Sequence, residues 1–236
     1  MNTLQYFLRR IFVSIIVFFG VSIVIFCLAR LIPGDPARIA LGPFATDEMV
    51  EQLRETLHLN ESIFIQYGIF IEKLFQGDLG ISTYTKRPVL VDIVSYFPAT
   101  FELVLMSGLL MILIGMPLGI LSGKFKNSII DNVARLISLL GVVTPSFLWA
   151  IILMLIFAFW FPILPVSERM NEALDPPTLV TGLLLVDSLL EGNFKVFGDA
   201  FLHLILPGLA IALPAIGNVA RSVSYTHLTL PTTRHV

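Results

Sequence analysis

Charge, cysteine and histidine are all scarce in this chain, and each shortage removes a class of function. Charged residues make up 14% of its 236 positions and hydrophobic residues 56%, whereas soluble domains carry about 25% charged residues. That balance excludes an ordinary soluble domain and indicates an integral membrane protein. Cys27 is the only cysteine, so the chain can form no internal disulfide and no cysteine-based metal site. The histidines, His58, His203, His227 and His235, include no pair at helical ligand spacing and no HExxH, and neither a metal nor another cofactor is expected. There is no GxSxG, no acid pair within an apolar run and no mid-membrane charge for a proton relay, which weighs against an intramembrane enzyme and an ion-coupled transporter. "GILSGKF", Gly119 to Phe125, imitates part of a P-loop. The first glycine of that motif falls on Leu118, however, and Phe125 stands where a hydroxyl must hold magnesium.

What the sequence does contain is apolar runs. Residues 11–29, "IFVSIIVFFGVSIVIFCLA", carry no charge and at about 1.5 Å per residue cross the ~30 Å hydrocarbon core. The run exceeds a signal-peptide h-region and no small-x-small cleavage site follows, so it reads as an uncleaved span. Further spans are expected at about 103–121, 136–162 and 201–220. With the N-terminus inside, the inner segments hold Arg9, Arg10, Lys124, Lys126, Arg135 and Arg221 against one acid, Asp131. The outer segments, 30–102 and 163–200, are acidic by contrast. The positive-inside rule therefore places the N-terminus in the cytoplasm.

The outer segment 30–102 has its own order. "PGDP" stops the first helix. Thr46 is suited to cap a helix with Asp47 and Glu48 in its first turn and Met49, Val50, Leu53 and Leu57 on one face. A second helical pattern, about Ser62 to Gln76, ends at Gly77, a residue fit for a left-handed position. Its aromatics Phe64, Tyr67, Phe70 and Phe75 can pack on the spans or lie in the membrane interface. Residues 176–186 are uncharged but too short to span, and read as an interfacial or re-entrant piece.

Candidate functional residues follow from backbone chemistry. Gly115, Gly119 and Gly123, each four apart, form a stripe that lets another helix approach closely, within the chain or in a partner. Pro117, Pro145, Pro207 and Pro214 each remove a helical hydrogen bond inside an apolar run. Thr144, Pro145 and Ser146, with Pro207 and Pro214, are candidates to line a polar pathway. A simple kink satisfied by the Thr144 and Ser146 hydroxyls is an equal reading. Glu102, at the outer start of the second span, is expected to snorkel to water, with a gate or docking contact as the second reading.

Several stretches carry a family resemblance: "YFLRRI", "ARLIPGDPA", "GDLGISTYTKRPV" at 77–89, "PATFEL" at 98–103, "GMPLGILSG" at 115–123 and "VTPSFLWA" at 143–150. From Met1 to about Arg221 the chain resembles the first of the two paired permeases in ABC importers of the dipeptide, oligopeptide and nickel family. The resemblance implies an all-α type I importer permease of six transmembrane helices, four of them present here. It also implies a second permease subunit, two cytoplasmic ATPase subunits, an extracytoplasmic solute-binding protein and membrane lipid as partners, with no nucleic acid. The chain itself would not be an enzyme, since ATP hydrolysis belongs to the partners. A non-transporting membrane scaffold assembled through the glycine stripe is the alternative. "IALP" at 211–214 echoes the end of the family's ATPase-docking motif but lies in an apolar span with no Glu-Ala-Ala upstream, and is set aside. Residues 223–232, "VSYTHLTLPT", match the translation of a transposon-end adapter. A permease domain over 1–221, cut short, and a non-native tail over 222–236 are therefore expected.

Overall fold

The computed structural model describes residues 3–31, 34–82 and 84–228. The chain divides into two compact units, residues 1–93 and 94–236. Its regular structure among the described residues is helical, apart from one isolated antiparallel bridge between Ile81 and Pro88.

The first unit opens with α1, Thr3–Leu31, about 43 Å long at 1.5 Å per residue. Helix α2, Pro36–Leu41, begins with Asp35 accepting the Ala37 amide and Pro36 at its first position, where the missing N–H is harmless. Helix α3, Asp47–Thr56, is capped as its sequence predicts: the Met49 amide donates to Thr46 Oγ1 at 3.4 Å, a cap of the type worth about 1 kcal/mol. Of its apolar face, Val50 is buried while Met49 and Leu57 remain exposed. Helix α4, Ile63–Phe75, starts after Ser62, and Gly77 follows at φ 82°. The α4 aromatics divide by face. Tyr67 and Phe70 pack on Phe26 of α1, with ring centroids 5.4 and 5.5 Å away, and the Ser22 and Tyr67 hydroxyls are 2.8 Å apart. Phe64 and Phe75 stay exposed. The loop before α5 is stapled by Lys86, which donates to the Ile39 and Ala40 carbonyls.

Helix α5, Val89–Lys124, begins in the first unit and continues through the second. It contains the expected second span but starts well before residue 103. Pro98 and Pro117 both lie inside it without ending it. Helix α6 is Ile129–Val143 and α7 is Ser146–Met154, continued by a π-helical turn, Leu155–Trp160. The expected third run over 136–162 is broken at its proline: the two halves are bent by 114° from one another. The residue before a proline avoids the helical region. Thr144 accordingly adopts φ −86° and ψ 125°, and Pro145 φ −59° and ψ 145°, so two successive residues are extended and the helix breaks. Helix α8, Leu184–Glu191, closes on Gly192 at φ 75°, and α9 runs from Phe194 to Leu228 through Pro207 and Pro214.

Among the described residues, three helices are long and apolar enough to cross a membrane (Thr3–Arg30, Val89–Lys124 and Phe194–Ser224), or four if the bent pair is one span. Residues 222–228 of the segment set apart as a tail continue α9; its remainder, 229–236, lies outside the described residues.

Candidate functional site

The second unit is assembled around α9, and small residues set how closely its neighbours approach. On α6, Ala134, Ser138 and Gly141 recur at one-turn spacing and are all buried. A Cβ added at Gly141 would lie 2.6 Å from the Leu213 carbonyl oxygen, and one at Gly217 would lie 2.6 Å from that of Ser138. The two backbones therefore touch, as small residues allow membrane helices to do. On the other side of α9, Gly115 and Gly119 of α5 face it: a Cβ would meet Val219 at 3.2 Å and the Ala220 carbonyl at 2.7 Å respectively. Gly123, the third member of the stripe, is half-buried at the end of α5. Gly115 and Gly119 are thus covered by the chain's own α9, and a partner helix would have to displace it to use them.

The break in the third apolar run sits one turn beyond the Gly141 contact. A Cβ on Gly141 would also lie 3.8 Å from Pro214 Cα, so the structure brings the 144–146 break and Pro214 to the same crossing. Thr144 and Pro214 are half-buried, while Pro145, Ser146 and Pro207 are exposed. Beyond the break, α7 returns to α9 through Leu153, packed with Leu206 and Ala210, with Trp149 and Phe157 against them. α9 itself passes both of its prolines unbroken. Pro145 alone coincides with an interruption, because there both the proline and its predecessor leave the helical region.

At one end of the unit, polar side chains tie the segment 163–193, which includes α8, to α5 and α9. Glu102 does not snorkel to water, contrary to the sequence reading. It is 6% exposed, receives the Leu185 amide at 2.6 Å on Oε1, and receives Arg169 Nη2 at 2.9 Å on Oε2. The physical reason is that burying a carboxylate is tolerable when both oxygens are paired, and the cap segment supplies both donors. Arg169 also donates to the Gly182 carbonyl at 3.3 Å. Asp199 of α9 accepts the Asn171 amide at 2.7 Å. Within the segment, Asp187 gathers the amides of Val180, Thr181 and Gly182 at 3.3, 2.8 and 2.9 Å, and the Thr181 hydroxyl at 2.7 Å. Burial acts to raise its pKa, but the Thr181 hydroxyl and these three amides outweigh it and hold the carboxyl below the usual carboxylate range.

The α5–α6 turn is fixed by Asp131, 2% exposed. It accepts Ser122 Oγ at 2.6 Å, the Asn127 amide at 2.9 Å and a forked pair of bonds from Arg135 at 3.2 and 2.8 Å. Asn127 is held at φ 60°, a left-handed conformation that asparagine accepts more readily than most residues.

Sequence reasoning missed Arg169, Asp187, Asp131, Gly141 and Gly217. A spacing signal for Ala134, Ser138 and Gly141 is present in the sequence. The partner of Glu102 lies 67 residues away along the chain and leaves no local pattern.

Apolar helices of spanning length, with α9 packed closely on α5 and on the bent pair in the second unit, define an all-α multi-pass membrane protein. Comparison with known proteins narrows the class. Residues 3–104 match the N-terminal model of binding-protein-dependent transport system membrane components. Residues 115–234 match the model of the binding-protein-dependent transport system inner membrane component, and this match runs into the segment set apart as a tail. The chain belongs to that family of inner-membrane transport components. It is 43% identical over 215 residues to the "Probable D,D-dipeptide transport system permease protein DdpB" of Escherichia coli (strain K12), covering 91% of this chain and 63% of that protein. It is 38% identical over 218 residues to the dipeptide transport system permease protein DppB of Alkalihalophilus pseudofirmus, covering 92% and 65%. Against the protein of the same name in Escherichia coli (strain K12) it is 32% identical over 221 residues, again covering 92% and 65%. The chain therefore spans less than two thirds of the length of these relatives.

Proposed function

We propose that this chain is a permease subunit of an ATP-driven importer for peptides or related small solutes, forming the translocation path by alternating access with a second permease. Two cytoplasmic ATPase subunits and an extracytoplasmic solute-binding protein complete the assembly, and the N-terminus is cytoplasmic. The basic inner segments and acidic outer ones support that orientation, and the dipeptide permeases among its relatives support the substrate class. The observation that carries the reading is the broken helix at Thr144 and Pro145, packed at the Pro214 crossing of α9. Alternating access needs an element with two arrangements whose contacts differ between states. Thr144, extended between the two helices, provides a hinge, because its ψ can change without breaking either helical ladder, while the ring holds Pro145 at its φ. Thr144, Pro145, Ser146, Pro207 and Pro214 are then the pathway-lining candidates, and Glu102 fastens the outer cap to α5. The scaffold alternative has less to stand on, since α9 already occupies Gly115 and Gly119.

The test uses the complete permease reconstituted with its partners, carrying Thr144→Cys in a Cys27→Ala background. The labelling rate of Cys at this position by a membrane-impermeant thiol reagent is measured with the ATPases empty, ATP-bound and turning over. A several-fold change between states, with peptide-stimulated ATP hydrolysis intact, is expected. Constant labelling in an assembly that still turns over would sink the hinge. Absence of stimulation by any peptide would sink the importer reading.

A further inference from the structure

Within the second unit, α9 changes partners at Leu213. Before that residue, Leu206 and Ala210 pack with Leu153 of α7, a Cβ on Gly208 would meet Met106 and Leu110 of α5 at 3.1 and 3.2 Å, and Asp199 accepts the Asn171 amide. After it, a Cβ on Gly217 would meet Ser138 of α6, while Ile216, Val219 and Ala220 lie against Gly115 and Gly119 of α5. Leu213 belongs to both sets, packing on the α7 cluster while its carbonyl touches the Gly141 position. α5 divides in the same way. Its 98–110 stretch is fastened to the segment 163–193 through Glu102 and through Pro98, which a Cβ on Gly182 would meet at 2.9 Å. Its end is fastened to α6, where Ser122 donates to Asp131 at 2.6 Å.

Each helix that passes from one set to the other is weakened where it crosses. Pro214 has no amide to give the Ala210 carbonyl, and Pro117 has none to give the Leu113 carbonyl. α5 and α9 run parallel, with Met106 and Leu110 beside Gly208 and Gly115 beside Ile216 and Val219, so Leu113 stands opposite the 213–214 stretch. The remaining connection, from α6 to α7, is the break at Thr144, one turn beyond the Gly141 contact with Leu213. Three weak points therefore share one level. Pro207 differs from them, because the contacts on both of its sides, at Leu206 and Ala210, belong to the first set.

We propose that the second unit bends as two bodies at this level, with Pro117 and Pro214 as the hinge points of α5 and α9 beside Thr144. One body holds residues 98–110, α7, α8 and 194–210; the other holds 115–124, α6 and 215–221. A helix flexes where a ladder bond is missing while its packed flanks keep their shape. The bend belongs to the second unit itself and rests on the transport reading only for what drives it.

The test is pulsed electron–electron distance measurement between spin labels at exposed positions of the complete permease, in a Cys27→Ala background. Ile129→Cys with Phe159→Cys spans the two bodies; these labels end two arms of about 20 Å, on which each 10° of swing moves the ends by about 3 Å. Ile129→Cys with Asn218→Cys, and Phe159→Cys with Leu202→Cys, each report within one body. Without nucleotide or partner subunits, the spanning pair should show a distance distribution about twice as wide as either internal pair. Pro117→Ala combined with Pro214→Ala should narrow it by restoring both ladder bonds, and Pro207→Ala should not. Equal widths for the three pairs, or equal narrowing by Pro207→Ala, would overturn the two-body reading. In the reconstituted assembly, ATP should shift the spanning pair by about 3 Å or more and the internal pairs by less than about 1 Å; similar shifts in all three would overturn it too. An assembly that hydrolyses ATP without any response to peptide counts against the importer reading alone, because the widths are measured without nucleotide.

Discussion

Replacing Gly217 by alanine should separate two helices that now touch. A methyl there would sit 2.6 Å from the Ser138 carbonyl oxygen and 2.9 Å from Ser138 Cα, where ordinary contact begins at 3.4 Å. Both atoms are backbone in the middle of α6, so no rotamer change relieves the clash, and α6 and α9 must part by about 0.8 Å locally. A gap of that size forfeits roughly a quarter to a half of the dispersion energy along the adjoining contact. Overpacking of this kind costs about 1–3 kcal/mol. Alanine gains about 1 kcal/mol over glycine in a helix interior, so the measured loss is partly masked and a reference is needed. Gly108 of α5 provides one, because a Cβ there meets nothing within 4 Å. Gly108→Ala should therefore be neutral or stabilising, and Gly217→Ala should lie about 1–3 kcal/mol below it. Thermal unfolding of the detergent-solubilised chain, followed by far-ultraviolet circular dichroism, makes the comparison. Since the clash is with Ser138 backbone, adding Ser138→Ala should give no rescue. Equal midpoints for the two alanine variants, or recovery in the double variant, would refute the account of the seam.

Glu102→Ala should loosen the 163–193 segment by leaving the Leu185 amide without its acceptor and Arg169 with only the Gly182 carbonyl, at a cost of about 1–3 kcal/mol; hydrogen exchange in that segment should rise, and unchanged exchange would deny Glu102 its fastening role. Glu102→Gln, which keeps an acceptor for the Leu185 amide, should be milder. Because the Asp187 carboxyl is held below its ordinary value, its contribution is present above the unfolded pKa of about 4 and is lost as pH falls through the lower folded value. Exchange at the Thr181 and Gly182 amides, corrected for intrinsic rate, should therefore accelerate only in acid. Asp187→Asn should abolish that dependence, and an acceleration that persists in the variant would point to another group. For orientation, Lys126→Cys and Asp175→Cys in a Cys27→Ala background should be labelled oppositely by an impermeant reagent in intact cells, Asp175 from outside; labelling of position 126 alone would invert the topology.

Features set by near neighbours in sequence were legible, and features set by distant partners were not. Thr46 with Asp47 and Glu48, Ser62 and Gly77 mark their helix ends because capping is decided within one turn, and the structure places those ends accordingly. Apolar length, also a local property, marked the runs that form the long apolar helices. In the third run Pro145 marked the place of the break, but not its angle, because hydropathy counts residues and is blind to ψ. Residues 136–162 are uniformly apolar, yet Pro145 and the residue it constrains turn the chain by 114°. The glycine stripe was visible as a spacing, but a spacing does not say which helix will fill it. That was decided by α9, a hundred residues downstream of Gly119, with Ala220 at the contact. Glu102 is the sharpest case. A lone acid at the start of an apolar run belongs in water unless something brings donors to it, and the Arg169 guanidinium and Leu185 amide arrive from a segment far along the chain whose sequence carries no mark of the pairing. The same logic explains why Asp187 could not be singled out: its donors are backbone amides, which every residue but proline carries and no sequence pattern distinguishes. What makes that segment a defined structure is two buried carboxylates: Glu102 of α5 holds the start of α8 through the Leu185 amide and the loop through Arg169, and Asp187 of α8 holds the amides of Val180, Thr181 and Gly182. The order of its loop therefore depends on both α5 and α8, and it should loosen whenever α5 moves relative to α8.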